Sequence, residues 1–477
     1  MMSSEDDMSL SPGDSRIEEA VRQVRGDADN AAIAPGSGGG VGGHTEGSHL
    51  FADRPKTSNT ISPEQAFVHM IKAMLGTGLL SLPLAFKHSG LYATRIILAH
   101  RHLRCVSLLL IVFAAHFVCR RNGRELIDYA NIMRGAVEAG PEWISSHGYF
   151  FKQLVNVNIF IAQLGFCCVY FVFMADNLQD ASFCFPIPNY RFFAVNANIH
   201  ISKAVWMILL LVPIMAICSI RQLSVLAPFA FAANMIYLTA VGIVIYYFFT
   251  HLQPTSNVTK VGRLDDLPLF FGTVMFAFEG VSVVMPVENR MEKPQFFISW
   301  NGVLNSSILV VLAIFAITGF YGYLSVGDVV KDTVTLNLPN EAFYQILKIM
   351  FVLCVMVSYP LQFYVPMERI EKYITRKCPV EKHVRYIYTA RFLIVIATLA
   401  VAELVPHLAL FIALIGAVAC TSLALLFPPI IDLLVCYAQN RLTLQTWIID
   451  GIMLAFAVVG FFTGGYSALS DIIATFQ

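Results

Sequence analysis

Long apolar stretches alternate with short polar loops from about residue 60 to the end of the chain. A helix needs about 20 mainly apolar residues to cross the hydrocarbon core of a bilayer. Eleven stretches reach or approach that length, so the pattern predicts an all-α membrane protein with about eleven transmembrane helices. We call them spans 1 to 11, and their predicted bounds are residues 64–86, 91–118, 152–176, 205–220, 223–249, 267–287, 298–324, 342–365, 384–404, 407–436 and 447–472.

Residues 1–60 have a different composition, rich in Ser, Gly, Asp and Glu, with a glycine-rich run at Gly36–Gly43. Such a segment buries too little apolar surface to fold alone, so we predict a disordered tail. The remaining part, 61–477, is predicted to form one transmembrane domain. Because the first 60 residues lack an apolar core segment, we expect no signal peptide.

The composition supports a membrane protein and argues against other classes. Hydrophobic residues make up 57% of the chain and charged residues only 13%, against about 25% charged residues in soluble domains. The formal net charge of zero gives no support for nucleic-acid binding. The ten cysteines lack the paired spacing of a metal site. No nucleophile with a nearby base stands out, so we expect no enzyme, no metal and no cofactor.

Span 1 is interrupted in a way that a simple membrane helix is not. His69 and Lys72 lie in its first half, and Gly76–Gly78 and Pro83 break the helical pattern near its middle. Ionisable groups are costly in lipid, and Gly and Pro free backbone groups that lipid cannot satisfy. A span with both features usually lines a cavity, and a broken helix of this kind points to the binding site of a transporter.

Span 6 repeats this arrangement five helices later. It contains Gly272, Gly280 and Pro286, and it carries the carboxylate of Glu279 in mid-span. Two interrupted helices at matching positions predict inverted repeats made of spans 1–5 and 6–10. The alternative is that Gly and Pro only bend packed helices.

A helix break offers two kinds of backbone group. Exposed N–H groups and the positive end of the half-helix dipole favour a carboxylate, whereas freed carbonyl groups favour an ammonium group. A zwitterionic amino acid satisfies both. The predicted binding residues are Gly76, Thr77, Gly78, Tyr170, Phe276, Ala277, Phe278 and Gly280.

Two residues are candidates for proton coupling. The imidazole of His69 titrates near physiological pH, and it lies about one and a half turns before the first break. Glu279 needs a hydrogen-bond partner or a proton in the middle of the membrane. Both have a structural alternative, because a single histidine is often a packed residue and Glu279 can form a gating hydrogen bond. Ser358 and Tyr359 in span 8 are lesser candidates for substrate contact.

Span 2 departs from the pattern because it contains Arg95, Arg101 and Arg104. Each arginine near a helix centre costs about 2.5–3.5 kcal/mol on the insertion scale. The apolar part that follows, residues 105–118, corresponds to about 21 Å of helix, less than the core thickness of about 30 Å. Either this span is unusually short or tilted, or a misassigned splice site has altered the sequence here. We favour the second interpretation.

The placement of Lys and Arg predicts the orientation, because cytoplasmic loops are enriched in both. With a cytoplasmic N-terminus, the inner loops carry sixteen of these residues and the outer loops six. We therefore predict that residues 1–60 are cytoplasmic. The sequon at Asn257 then lies on the outer side, where it can be glycosylated.

Five motifs together resemble a known family. They are His69-x-x-Lys-x-x-x-Gly-Thr-Gly-Leu-Leu-x-Leu-Pro83, Gly165-Phe-Cys-Cys-Val-Tyr170, Phe276-Ala-Phe-Glu-Gly280, Thr335-Leu-Asn-Leu-Pro339 and Leu361-Gln-Phe-Tyr-Val-Pro366. From about residue 60 onward, the chain resembles the proton-coupled amino acid transporters of the amino acid/auxin permease group. The resemblance implies an APC/LeuT-type fold of eleven helices with a 5+5 inverted repeat, and it associates His69 with proton coupling.

The resemblance also implies a function. Members of this family move small neutral amino acids such as glycine, alanine and proline together with protons, at the plasma membrane or the lysosome. We therefore expect a symporter in the lipid bilayer, with amino acids and protons as partners and no nucleic acid. The alternatives are an amino-acid sensor with little flux, a sodium-coupled carrier and an inactive family member.

Overall fold

Helices provide nearly all the regular structure in the computed structural model. It describes residues 60–91, 93–123, 126–182, 202–221, 223–255, 258–299, 302–405 and 407–476, with side chains for all of these except 93–105, 223–224 and 227. The tail at 1–59 and the sequon at Asn257 lie outside the described residues. Within them, the only β pairing is an isolated bridge between Ile61 and Met291.

Every predicted span is present as a helix. Eight described helices are long and apolar enough to cross a membrane, and interrupted span 1, span 2 and the shorter span 4 complete the eleven. Spans 2 to 5 are Ala93–Asn122, Gly148–Ser182, Lys203–Cys218 and Leu223–Thr250. Spans 7 to 9 are Val303–Val326, Ala342–Lys377 and His383–Glu403. Span 10 begins as Leu408–Ile415 and ends as Phe427–Ala438, and span 11 is Leu444–Thr475.

Shorter helices connect these spans. They are Tyr129–Ala139 and Glu142–Ser145 before span 3, and Gln295–Ile298 before span 7. Single 3₁₀ turns occur at Leu264–Asp266, Gly327–Val329, Val334–Asn337 and Val380–Lys382.

Span 1 is divided into 1a (Pro63–Met74) and 1b (Thr77–Leu80 and Leu82–Ser89). A capping box starts 1a: the hydroxyl of Ser62 accepts a hydrogen bond from the N–H of Gln65, and the Gln65 side chain accepts one from the N–H of Ser62. Gly76 lies between the two parts with extended backbone, φ −120° and ψ −165°. The predicted break in span 1 is therefore confirmed.

Span 6 is divided into 6a (Leu267–Ala277) and 6b (Val281–Glu288). The residues between them, Phe278 to Gly280, are not helical, so the second predicted break is also confirmed. Spans 1 and 6 cross at their breaks. A Cβ atom on Gly78 would lie 2.5 Å from the Cα of Ala277, so the crossing requires glycine at position 78.

Span 2 is one continuous helix of 30 residues, about 45 Å long. Its backbone includes the basic segment before Cys105. Beyond that segment, apolar residues such as Leu108, Ile111 and Val118 are buried in the core. The span is therefore not short, because its apolar residues form only the second half of a longer helix. The favoured interpretation, an altered sequence, stays a prediction.

Span 10 is wider than an α-helix in its middle. Residues 416–420 and 422–426 have π-helical hydrogen bonding. The carbonyl of Leu423 accepts a hydrogen bond of 2.8 Å from the hydroxyl of Tyr129, and the next carbonyl accepts one from Ser107. Side chains from other elements thus stabilise this section, which packs directly against 6a. π-helical sections occur frequently at functional sites.

Candidate functional site

A small cavity of about 50 Å³ lies where the two broken spans meet. Side chains and backbone of spans 1, 3, 6 and 8 surround it. The first N–H groups of a helix and its last carbonyl groups lack the regular intrahelical partners. At the end of 6a, the carbonyls of Val274 and Phe276 accept hydrogen bonds from the N–H groups of Phe278 and Glu279, and the remaining end carbonyls of 1a and 6a border the cavity. The structure brings seven of the eight predicted binding residues to the cavity wall: Gly76, Thr77, Gly78, Tyr170, Phe276, Ala277 and Gly280.

Aromatic rings limit the width of this cavity. The rings of Phe166 and Phe276 pack edge to face with their centroids 4.9 Å apart, and both line the wall. Phe278, the eighth predicted residue, does not line it. Its ring packs instead on Phe315 of span 7, with the centroids 4.7 Å apart. The phenylalanine rings on the wall are therefore those of Phe276 and of Phe166, which was not among the predicted binding residues.

The carboxylate of Glu279 is buried at the start of 6b. One of its oxygens accepts a hydrogen bond of 3.1 Å from the hydroxyl of Ser282, and the other lies 3.4 Å from the backbone nitrogen of Val281. An anion at a helix N-terminus is stabilised by the free N–H groups and by the helix dipole. Glu279 thus occupies the anion position of 6b, and the corresponding position of 1b borders the open cavity.

Span 5 fixes the break in span 1. The hydroxyl of Tyr237 donates a hydrogen bond of 2.8 Å to the carbonyl oxygen of Gly76. The Tyr237 ring is buried and packs edge to face on Phe351 of span 8, with the centroids 5.6 Å apart. The same carbonyl also accepts a hydrogen bond of 3.2 Å from the N–H of Leu79. Tyr237 therefore adds a second partner at the break, and its own position is fixed by packing.

A wider vestibule of about 1500 Å³ adjoins the central cavity and shares Gly76, Thr77 and Tyr170 with it. Tyr149 and Tyr373, which are 63% and 66% exposed, lie on its outer wall. The vestibule is strongly basic, because two carboxylates, Asp128 and Glu368, face six cations. These cations are Lys72, Lys152, Arg290, Arg369, Lys372 and Arg376.

His69 lines the vestibule and not the central cavity. Lys72 lies on the same helix, with its ammonium 4.3 Å from the centre of the Phe231 ring, a distance typical of a cation–π contact. Ser358 also lines the vestibule. Tyr359 faces span 9 instead, where its hydroxyl lies 2.8 Å from that of Thr398. The two proton-coupling candidates, His69 and Glu279, therefore lie in different but adjoining compartments.

The comparisons with known proteins decide the family. Residues 59–470 match the family model described as "Transmembrane amino acid transporter protein". The chain belongs to this family.

Two curated relatives align with almost the whole transporter. The "Proton-coupled amino acid transporter-like protein pathetic" of Drosophila melanogaster is 29% identical over 472 residues, which cover 98% of this chain and 94% of the relative. The "Probable amino acid transporter skat-1" of Caenorhabditis elegans is 23% identical over 457 residues, which cover 91% and 95%.

Among solved structures, that of MhsT in complex with L-phenylalanine covers 85% of this chain and 99% of its own, at 13% identity and a TM-score of 0.47. Family membership makes the protein a multi-pass membrane transporter of amino acids and not an enzyme.

Three polar residues of the transporter's central cavity were not predicted from sequence. Gln163, Ser282 and Gln362 line both the cavity and the vestibule. Gln163 lies two turns before Tyr170 on the same face of span 3. A polar amide at this spacing in an apolar helix could therefore have indicated that Gln163 faces the same cavity as Tyr170. Gln362 stands inside the motif Leu361–Pro366, and the Tyr170 hydroxyl faces it.

Proposed function

We propose that this transporter is a symporter that moves a small neutral amino acid together with a proton. The observation that carries the proposal is the size and composition of the central cavity. It measures about 50 Å³, and its described wall has backbone groups, amides, hydroxyls and the carboxylate of Glu279, which the N-terminus of 6b already binds, but no Lys or Arg. Such a site suits a small ligand whose own charges cancel, because a net anion would lack a counter-charge there.

The two helix breaks account for the two charges of the substrate. The carboxylate binds the N–H groups of Thr77 and Gly78, since Glu279 already occupies the equivalent position on 6b. The ammonium binds the free carbonyl groups at the ends of 1a and 6a. Little space remains for a side chain beside Phe166 and Phe276, which favours glycine, alanine and proline.

Proton coupling is assigned to His69 and Glu279, which belong to the two broken spans. Protonation of Glu279 would remove the negative charge that caps 6b, and so weaken its interaction with the helix N-terminus. Because 6b borders the substrate, this change reaches the binding site directly. His69 lies on the vestibule wall, where it can exchange protons with water. The name of the Drosophila relative refers to proton coupling and supports this assignment.

The basic vestibule supports an orientation. By the positive-inside rule, its six cations favour a mouth on the cytoplasmic side, together with the N-terminus. The described conformation is then open to the cytoplasm. Protons would enter from an acidic outer compartment, which is either the extracellular space or the lysosomal lumen.

Uptake measurements in expressing cells test this function. Uptake of radiolabelled glycine, alanine and proline is measured at acidic and at neutral external pH, each with and without sodium. We expect uptake to rise as the external pH falls and to be independent of sodium. Uptake that requires sodium and does not respond to pH would contradict the proposal.

A further inference from the structure

Gln163 has a buried polar atom without a partner. The residue is 2% exposed, and no described residue donates a hydrogen bond to its side-chain oxygen Oε1. A buried amide oxygen in this state is unfavourable unless a ligand or water supplies the missing donor. Among the described residues with such an atom, Gln163 is the one that lines the central cavity.

Two other acceptors at the cavity already have hydrogen-bond donors. The Glu279 carboxylate accepts from Ser282, and the Gly76 carbonyl accepts from Tyr237. Gln163 also lies where the cavity and the vestibule adjoin, because it lines both. Its oxygen is therefore an acceptor on the route by which a ligand leaves or enters.

We propose that Oε1 of Gln163 accepts a hydrogen bond from the ammonium group of the substrate and makes a nitrogen-bound hydrogen a requirement for tight binding. This inference rests on the proposed function, in which an amino acid occupies the cavity. The backbone carbonyls at the helix ends provide the general attraction for a positive charge. Gln163 adds directional recognition of N–H, which a charge alone does not provide.

A series of N-methylated ligands tests this role. Glycine, N-methylglycine, N,N-dimethylglycine and glycine betaine keep the carboxylate and the positive charge, but they offer three, two, one and no N–H donors. Gln163→Met removes the acceptor and keeps a similar shape. Asn158→Leu is the matched control, because Asn158 is on the same helix and has a buried oxygen without a partner, yet it lines neither cavity. Binding is measured on the full-length protein in detergent, as the ligand-dependent rise in unfolding temperature over a range of ligand concentrations.

We expect Gln163→Met to weaken glycine binding roughly tenfold, equivalent to about 1.4 kcal/mol. Betaine binding should stay the same, so the preference for glycine over betaine should fall by the same factor. Asn158→Leu should leave this preference unchanged. Gln163→Glu keeps an acceptor and should retain glycine binding. If it abolished binding, Gln163 would instead donate to the carboxylate, and the proposal would be wrong.

Two further outcomes are distinguishable. If Gln163→Met weakened all four ligands equally, the residue would only support the structure of the cavity, and the inference would fail while the proposed function stood. If none of the amino acids raised the unfolding temperature of the wild-type protein, the proposed substrate class itself would be refuted.

Discussion

The hydroxyl of Tyr237 donates a hydrogen bond to the carbonyl oxygen of Gly76, and this bond holds the break in span 1 from the side of span 5. We expect Tyr237→Phe to weaken substrate binding, because the carbonyl keeps only the N–H of Leu79 as a partner and can move, while the ring still packs on Phe351. The loss of a hydrogen bond predicts a stability decrease of about 0.5–1.5 kcal/mol. Uptake kinetics and the unfolding temperature measure both effects.

Tyr359→Phe is the matched control for this prediction. It removes a hydroxyl that pairs with Thr398 away from the cavity. It should lower stability by a similar amount and leave the KM for glycine unchanged. A KM that responds equally to both variants would contradict a special role for Tyr237.

Gly78 and Gly76 should respond differently to alanine. A Cβ at position 78 would lie 2.5 Å from the backbone of Ala277, whereas a Cβ at position 76 would meet nothing within 4 Å. Gly78→Ala should therefore destabilise the crossing of spans 1 and 6 by about 1–3 kcal/mol, as overpacking does. Gly76→Ala should keep the unfolding temperature close to that of the wild type. Equal unfolding temperatures for the two variants would show that the crossing tolerates a larger separation.

His69→Ala should abolish the acceleration of uptake at acidic pH, because it removes a titratable group on the vestibule wall. His147→Ala serves as a control, since His147 is exposed and does not line the vestibule. Uptake is measured over a range of external pH values for both variants. A pH response that survives in His69→Ala and is lost in His147→Ala would reverse the assignment.

Two variants of Glu279 distinguish the role of its negative charge from the role of its hydrogen bonds. Glu279→Gln keeps an acceptor at the start of 6b, so the protein should fold normally while uptake loses its response to pH. Glu279→Ala loses the acceptor as well and should lower the stability by about a further 0.5–2 kcal/mol, the range for a lost helix cap. If uptake by Glu279→Gln still rose at acidic pH, Glu279 would be only a structural cap.

An ion pair between a buried arginine and a partly exposed glutamate, which also binds Arg221, joins spans 8 and 9. The guanidinium of Arg391, whose side chain is 4% exposed, binds the carboxylate of Glu371 at 2.6 Å and the carbonyl of Cys218 at 2.6 Å. Glu371→Ala should destabilise the protein by about 3–5 kcal/mol, because it leaves a buried cation unpaired. The double variant Glu371→Ala/Arg391→Met should recover part of this loss.

Glu368→Ala is the corresponding control on the same helix. Glu368 pairs with Lys372, whose side chain is 63% exposed, and surface pairs contribute at most about 1 kcal/mol. The unfolding temperatures of the three variants and the wild type measure how much each ion pair contributes to stability. A comparable loss in the Glu368 variant would mean that the burial of Arg391 is energetically unimportant.

The two breaks were predictable because Gly and Pro interrupt a helical pattern locally. The residues that face the cavity were harder to predict. Helical periodicity ends at the break, so it gives no rule for whether Phe276 or Phe278 faces inward. Gln163 and Gln362 come from two other spans, and their meeting depends on tertiary packing that a single sequence does not reveal.

The π-helical section of span 10 had no usable signal in its own sequence. Its carbonyl groups are stabilised by Ser107 and Tyr129, which are 317 and 294 positions away from their acceptors.

The length of span 8 was also underestimated. Its helix continues from Val365 to Lys377, because the basic side chains of Arg369, Lys372 and Arg376 line the vestibule and need not enter lipid.

The bridge between Ile61 and Met291 links the outer ends of 1a and 6b. The N–H of Ile61 donates to the carbonyl of Arg290 at 2.8 Å, and its carbonyl accepts from the N–H of Glu292 at 3.0 Å. Spans 1 and 6 are thus connected at two places: by these hydrogen bonds at the vestibule wall, and by the contact of Gly78 with Ala277 at the central crossing. A motion that separated 1a from 6b would therefore have to break both of these hydrogen bonds.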